Sequence, residues 1–487
     1  MTTTPILDVA IVGSGFSGLG MGIKLKEAGL HSFAILEKDS ELGGTWRDNI
    51  YPGAACDIPS HLYSYSFEPN PRWSHAYSPH HEIWAYLKHC AEKYGLTPHI
   101  RYQNKVRGAA FDSQTGLWSV DIEGQQSLKA RALVLGNGAL HIPQLPNIQG
   151  LSEFRGKLFH SARWDKNYDL RDKCVGVIGT GASSIQFVPE IAPLVKQLHV
   201  FQRTPPWILP KPDRAYSELE RQAFEKVPGL RFMLRSALFW FHELRGMTMQ
   251  GKPAMVKLGE RLAKDFLKEA VKDPVLRAKL TPNYRIGCKR ILLSNNYYEA
   301  LQLPNVELVS DSIKYISPDG IVTADGRERK VDAILLGTGF QVADYLAPFK
   351  IRGRAGQDLN ETIQAKPESY YGITMNGFPN LFLLMGPNTG LGHNSIIFMI
   401  EAQVRYVVQA LLAMKTRNIR FLDVREPVQH AFSLRIQEQL SNTVWNTGGC
   451  QSWYLKDGHN MTLWPGYCYQ YWLETRKLHL DDYEQVA

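Results

Sequence analysis

Two stretches of the chain repeat one pattern of apolar and polar positions. In the first, the unbroken apolar run VAIV (9–12) leads into a glycine cluster at Gly13, Gly15 and Gly18. MGIKLKEAG (21–29) then alternates with helical period, and FAIL (33–36) forms a second apolar run. In the second stretch, CVGVI (174–178) leads into Gly179 and Gly181, followed by a helical segment and the run QLHVF (197–201). Short unbroken apolar runs predict parallel strands covered on both faces, and the segments between them predict crossover helices. Two further runs, ALVLGNGAL (132–140) and DAILLGTGF (332–340), also end in glycine. Each is expected to lie beside one of the glycine turns and to close its domain.

The intervening chain reads as connections and one insertion. HIPQLPNIQG (141–150) is proline-rich and reads as a linker. Residues 215–286 carry long helical periodicities (ELERQAFEKV, RFMLRSALFWFHELRGM, KLGERLAKDFLKEAV) and read as a helical insertion. Their aromatic and methionine content could serve membrane contact or a substrate wall; packing within the protein is the expectation. Residues 1–141 and 381–487 are assigned to one domain, and 151–214 with 287–345 to a second. Residues 346–380 return the chain from the second to the first.

The glycine spacing carries chemistry. In GxGxxG the first glycine permits a tight turn and the second lets the backbone approach a pyrophosphate. The third lets helix and strand pack closely, and the helix N-terminus offers unpaired N–H groups to the phosphates. Glu37 ends the next strand nineteen residues after Gly18, where a carboxylate accepts ribose hydroxyls. In the second motif Ser184 replaces the third glycine, so the helix–strand contact must accommodate a hydroxyl. The acid is replaced by Gln202, Arg203 and Thr204. A guanidinium at this position suits the 2′-phosphate of NADPH. The fold expected is α/β, with two Rossmann-like domains that bind FAD first and NADPH second. Hydride transfer from nicotinamide to flavin follows. The candidate residues are Gly13, Gly15, Phe16, Ser17, Gly18, Glu37 and Lys38 for FAD. For NADPH they are Gly179, Thr180, Gly181, Ala182, Ser183, Ser184, Arg203 and Thr204.

Composition narrows the electron acceptor. The formal charge is +8 over 487 residues, but acids and bases are interspersed and no block of like charge suggests nucleic acid. No apolar run is long enough for a transmembrane segment, and no basic-flanked leader is visible, so a cytoplasmic protein is expected. The six cysteines are scattered without a CxxC pair, which argues for reduced thiols and against a disulfide reductase or a metal site. Oxygen is then the simplest acceptor. His80 and His81 lie in the aromatic-rich stretch 61–84, expected to form pocket or core near the flavin rather than a metal site.

FRGKLFHSARWD (154–165) completes the picture. With Phe154, Gly156, His160 and Trp164 it resembles the FxGxxxHxxxW fingerprint of the Baeyer–Villiger monooxygenases, a branch of the class B flavoprotein monooxygenases. Asp165 stands where proline is commonest. GGTWRDNIYPGAACDIPS (43–60), FQRTPP (201–206) and GCKR (287–290) are also similar to family motifs, with Ala55 in place of an arginine. The resemblance implies oxygen insertion beside a ketone carbonyl through a C4a-peroxyflavin, giving an ester or lactone, with sulfide oxidation as a side activity. It implies Arg290 as the main catalytic residue and Asp57 as the group that holds it. Gly44, Thr45, Trp46, Asp57, Tyr63 and Val106 join the flavin site, and Lys289 and Arg290 join the NADPH site. An N- or S-oxygenating relative is the alternative, and a flavin electron-transfer protein a remote one. Because the oxidant would itself be the nucleophile, His160 is expected to hydrogen-bond between domains rather than shuttle protons. KLFH is expected to form an edge strand, with Trp164 packed at the crossing point. His393, in GPNTGLGHNS (386–395), is expected to be structural. Ketone identity and oligomeric state remain open.

Overall fold

The computed structural model describes residues 6–341, 346–450, 452, 454–456 and 458–487; the expected end of the second domain, at 345, lies outside them. Both apolar–glycine patterns form as expected, each in its own sheet. In the first sheet, Leu7–Val12 lies between Phe33–Leu36 and Leu128–Leu135, all parallel, with Ala10 opposite both Ala34 and Leu133. Strands Val106–Asp112 and Leu117–Ile122 extend it antiparallel, and Leu381–Leu383 returns to pair with Leu128–Leu135. Lys350–Arg352, from the return connection, adds the edge beside Val106–Asp112.

The second sheet is wholly parallel. Its order is Val306–Val309, Gln197–Phe201, Cys174–Ile178, Ala333–Leu336 and Lys157–His160. KLFH is therefore the edge strand, as its position suggested. Both sheets are buried on two faces: Val9, Ala10, Ile11, Val175, Val177 and Ile334 are inaccessible. That double burial is why these strands read as unbroken apolar runs rather than alternating ones.

The two glycine turns are built alike. Gly13 has φ +95°, and a Cβ there would come within 2.7 Å of the Gly136 carbonyl oxygen. Gly179 has φ +103°, with the Gly337 carbonyl oxygen at 2.5 Å from such a Cβ. The runs at 132–140 and 332–340 thus supply the backbone against which each turn is pressed. Ser184 is accommodated from the opposite side: a Cβ on Gly337 would lie 1.9 Å from Ser184 Oγ and 3.3 Å from its Cβ. Both domains have a glycine at this strand end, Gly136 and Gly337; the second lacks only the helix glycine, and Gly337 leaves the room that the Ser184 hydroxyl takes. Gly337→Ala is expected to destabilise the protein by about 1–3 kcal/mol, and Ser184→Ala in the same chain to restore most of it. Thermal unfolding of the single and double variants checks this.

Residues 218–280 form the helices Glu218–Lys226, Leu230–Met249, Pro253–Ala270 and Pro274–Leu280. The expectation that their aromatic and methionine side chains pack within the protein holds only in part. Leu234, Leu238, Phe239, Met247 and Met249 of Leu230–Met249 face inward, but Phe232, Met233, Trp240, Phe241 and Leu244 are exposed. The inward face is completed by polar groups instead. Arg231 donates to the Pro69 carbonyl (2.9 Å), Arg235 to the His61 carbonyl (2.9 Å), and Glu243 accepts from Asn394 Nδ2 (2.7 Å).

The expectation of reduced thiols fails for two of the six cysteines. Cys288 and Cys450 form a disulfide across 162 residues, and the other four cysteines are free thiols. Arg285 N–H donates to the Gly448 carbonyl at 2.9 Å, which draws the two loops together. A pairing set by such a long-range contact leaves no spacing pattern to read.

Among the described residues one helix, Ile396–Thr416, is long and apolar enough to cross a membrane. It packs against Phe16–Glu27, with Ile397, Met399, Val404 and Val407 buried.

Candidate active site

The glycine turns of both sheets open onto one cleft of about 1710 Å³. Pockets for a single small ligand run to roughly 1,000 Å³, so this one has room for more than one. Gly13, Gly15, Phe16, Ser17, Glu37, Lys38, Gly44, Thr45, Trp46, Asp57, Tyr63 and Val106 line it from the first sheet's side. Gly179, Thr180, Gly181, Ala182, Ser183, Arg203, Thr204, Lys289 and Arg290 line it from the other. Two candidates do not reach it. Gly18 and Ser184 are buried behind the turns, where they set the approach of helix to strand.

The first end fits a dinucleotide. A Cβ on Gly15 would meet nothing within 4 Å, so the absence of a side chain leaves open space in front of the helix Phe16–Glu27. That helix starts without a side-chain cap, leaving its first N–H groups free for phosphate oxygens. Glu37 is 4 % exposed and fixed in place. It accepts from Ser14 N (3.1 Å) and Ser14 Oγ, and Arg47 Nη1 lies 3.2 Å from its other oxygen. Arg47, unflagged by sequence reasoning, also binds Asp39 and Asp48, so it orders the whole ribose corner. Its position directly after GGTW was the available signal. Further in, Phe16, Trp46 and Tyr63 form an aromatic wall. Trp46 Nε1 donates to Tyr63 Oη at 3.3 Å, and the Tyr63 ring stands edge-on to both partners at 5.4 Å.

The second end fits a phosphorylated ribose. Gly181 faces open space as Gly15 does, with only the Gly337 carbonyl oxygen as near as 3.8 Å to an added Cβ. Arg203 and Lys289 have no carboxylate partner among the described residues. Burial and then the charge of Arg203 push the Lys289 pKa down. Two cations held together without an acid form a site for a dianion.

Arg290 and Asp57 meet where the two ends converge. Asp57 comes from the loop 51–57, which is pinned to the second domain: Tyr51 Oη donates to Gln186 Oε1 (2.8 Å), and Gln186 Nε2 to the Ala55 carbonyl (2.9 Å). Arg290 Nε and Nη2 both donate to Asp57 Oδ2, at 2.9 and 2.6 Å. The Arg290 side chain keeps 45 % exposure on the cleft that it lines. The charge of Asp57 raises the guanidinium pKa against the opposing effect of burial. Burial pushes the Asp57 carboxyl up, but the charge and hydrogen bonds of Arg290 more than offset it, so its pKa is lowered. The pair is therefore a fixed cation with its counter-ion. Tyr454, from the C-terminal segment, is buried beside them and lines the cleft; nothing in its local sequence marked it.

The fingerprint residues lie away from the cleft. Phe154 packs against the buried cluster that includes Ile316, Ile321 and Ile334, and a Cβ on Gly156 would be 2.5 Å from both the Asp332 carbonyl oxygen and the Phe154 ring. Trp164 packs on Phe159 (5.1 Å) and Phe187 (5.4 Å), inside the second domain. Asp165 pairs with Lys157 at 2.7 Å. His160 is 3 % exposed, and its Nδ1 accepts from the nearby Ala162 N–H at 3.1 Å. The expected hydrogen bond between domains is not seen among the described residues: the partners of His160 are Ala162 and the Gly339 backbone, both within the second domain. The ring instead packs on Phe340 at 5.8 Å, and Phe340 bridges Pro143 of the linker. Burial pushes the imidazole pKa down, against the opposing effect of the Gly339 backbone hydrogen bond. His80 lies beside the Trp46 carbonyl, and His393 is buried against Glu243 (3.3 Å) and Cys468 (3.8 Å), behind the cleft.

A relative from Pseudomonas aeruginosa, named a Baeyer-Villiger monooxygenase, is 48 % identical over 477 residues, spanning 98 % of this chain and 90 % of the relative. The chain belongs to the Baeyer–Villiger monooxygenases. A second family member, from Streptomyces coelicolor, is 45 % identical over 98 % of the chain and 92 % of its own length. The flavin-binding monooxygenase-like family model matches residues 7–218. Among solved structures, a steroid monooxygenase bound to NADP superposes with TM-score 0.89 at 29 % identity, covering 99 % of this chain and all of that one. Cyclohexanone monooxygenase from Rhodococcus sp. Phi1, bound to NADP+, also gives 0.89, at 26 % identity and full coverage of both chains. The α/β architecture with two dinucleotide-binding folds is that of the Baeyer–Villiger enzymes.

Proposed function

We propose that the protein is an FAD- and NADPH-dependent Baeyer–Villiger monooxygenase that inserts one atom of O2 beside a ketone carbonyl, giving an ester or lactone. The observation that carries this reading is the Arg290–Asp57 pair, set between two dinucleotide ends of different chemistry. The domain division is that assigned from the sequence, with the FAD end on residues 1–141 and 381–487 and the NADPH end on 151–214 and 287–345. Bound flavin, reduced by NADPH, would supply the activation of oxygen.

The residues do the rest. Glu37, held by Ser14 and Arg47, takes the ribose of FAD, and Gly13 and Gly15 with the following N–H groups take its pyrophosphate. Phe16, Trp46 and Tyr63 wall the inner end against water. Among the described residues Asp57 engages only Nε and Nη2 of Arg290, and Nη1 is the donor that would stabilise negative charge on the substrate oxygen. A guanidinium cannot lose its proton there, so the stabilisation does not depend on pH. Sulfide oxidation is a side activity of the same site, and the site of action is cytoplasmic.

Product analysis tests the reading. Holoenzyme with NADPH, labelled oxygen and a panel of linear, cyclic and aryl ketones is expected to give an ester carrying one labelled atom. NADPH oxidation that releases only hydrogen peroxide with every ketone would overturn it. Arg203, Thr204 and Lys289 take the 2′-phosphate. Arg203→Ala and Lys289→Ala are each expected to raise KM for NADPH roughly tenfold while leaving NADH turnover nearly unchanged. Steady-state kinetics with both nucleotides decide this.

A further inference from the structure

We propose that the exposed face of the helix Leu230–Met249 seats the protein on an anionic lipid surface. Phe232, Met233, Trp240, Phe241 and Leu244 are 75, 68, 54, 60 and 56 % exposed. They recur at helical spacing on one side, with Ala237 between them, and no charged residue of the helix shares that exposed stripe. Its charged groups point the other way: Arg231 and Arg235 bind backbone carbonyls of residues 61–69, and Glu243 is buried under Asn394. A surface helix normally turns these faces the opposite way round. A contiguous apolar patch of this kind marks an interaction surface.

The surroundings favour lipid as the occupant. The neighbouring helix Pro253–Ala270 exposes Leu258 and Leu262 (48 and 53 %) together with Lys257, Lys264 and the ion pair Arg261–Asp265. Tyr469 stands beside Trp240 with ring centroids 5.8 Å apart, an aromatic pair suited to the headgroup level. Apart from the inward-facing charges of Leu230–Met249, residues 218–280 hold ten basic and seven acidic side chains, a net +3. Apolar side chains flanked by cations match an anionic bilayer, in which the first enter the acyl boundary and the second meet the headgroups. A second copy of the same face would bring like charge against like charge. The inference does not depend on which substrate the enzyme oxidises.

Flotation of the holoenzyme with vesicles provides the test. Vesicles of equal parts phosphatidylglycerol and phosphatidylcholine are expected to carry the protein, and pure phosphatidylcholine vesicles to carry roughly tenfold less. Added salt should weaken the binding. Trp240→Ser with Phe241→Ser is expected to lower the bound fraction roughly tenfold while retaining flavin absorbance. Leu434→Ser, exposed on another helix, should float like the wild type. Wild type that stays unbound by anionic vesicles would overturn the proposal, as would binding that survives the double substitution. A concentration-dependent dimer abolished by Trp240→Ser would assign the face to a second copy instead.

Discussion

Arg290→Ala is expected to keep its flavin and lose ester formation from a ketone by roughly a thousandfold in kcat. The side chain contributes nothing to the first glycine turn, so FAD binding is preserved. What disappears is the only arginine that both lines the cleft between the two nucleotide ends and pairs with Asp57 across it, among the described residues. NADPH oxidation should continue, with its electrons lost to peroxide, because the variant removes charge stabilisation and not the reductant. Arg290→Lys is expected to recover little, since an ammonium cannot place two donors on Asp57 and still present a third. Product yield per NADPH consumed is the measurement. Ester formation within about tenfold of wild type by Arg290→Ala would remove Arg290 from its assigned role.

Gly18→Ala is expected to abolish FAD binding and to destabilise the fold by about 3 kcal/mol or more. An added Cβ would lie 1.8 Å from the Gly13 carbonyl oxygen and 3.0 Å from its carbon. Both are backbone atoms of the turn itself, so relief requires the helix to move away from the strand. The turn is held on its far side by Gly136, which leaves it no direction in which to yield. Gly15→Ala makes the informative contrast. Its Cβ meets no protein atom within 4 Å, so the variant should fold normally while its methyl group enters the space in front of the helix. The flavin-to-protein absorbance ratio and thermal unfolding separate the two outcomes. A yellow Gly18→Ala protein with wild-type stability would contradict the packing account.

The flavin and nicotinamide ends were legible because their determinants are local. A strand, a glycine turn and a helix lie within about thirty residues, and burial on both sheet faces writes them as apolar runs. The acid at Glu37 and the cation at Arg203 sit at fixed offsets from those turns, so their identities distinguished the two nucleotides. Arg290 and Asp57 were legible only through resemblance to a family. They are 233 residues apart, and no spacing rule connects them. Arg47, by contrast, could have been noticed, since it follows a motif already in view.

What the sequence by itself determined, then, is the pair of dinucleotide folds, their order and the sign of charge at each ribose. The tertiary structure alone decided the relations between distant segments. It set Gly337 opposite Ser184, joined Cys288 to Cys450, and kept the hydrogen bonds of His160 within the second domain, under the linker. It also left one apolar stripe of the insertion helix outward, opposite an inward face that joins apolar and polar groups. The physical reason is the same in each case: helical and strand periodicity record which positions share a face. Which face is buried depends on the partner packed against it, and here the backbone carbonyls of 61–69 and the side chain of Asn394 offer polar partners.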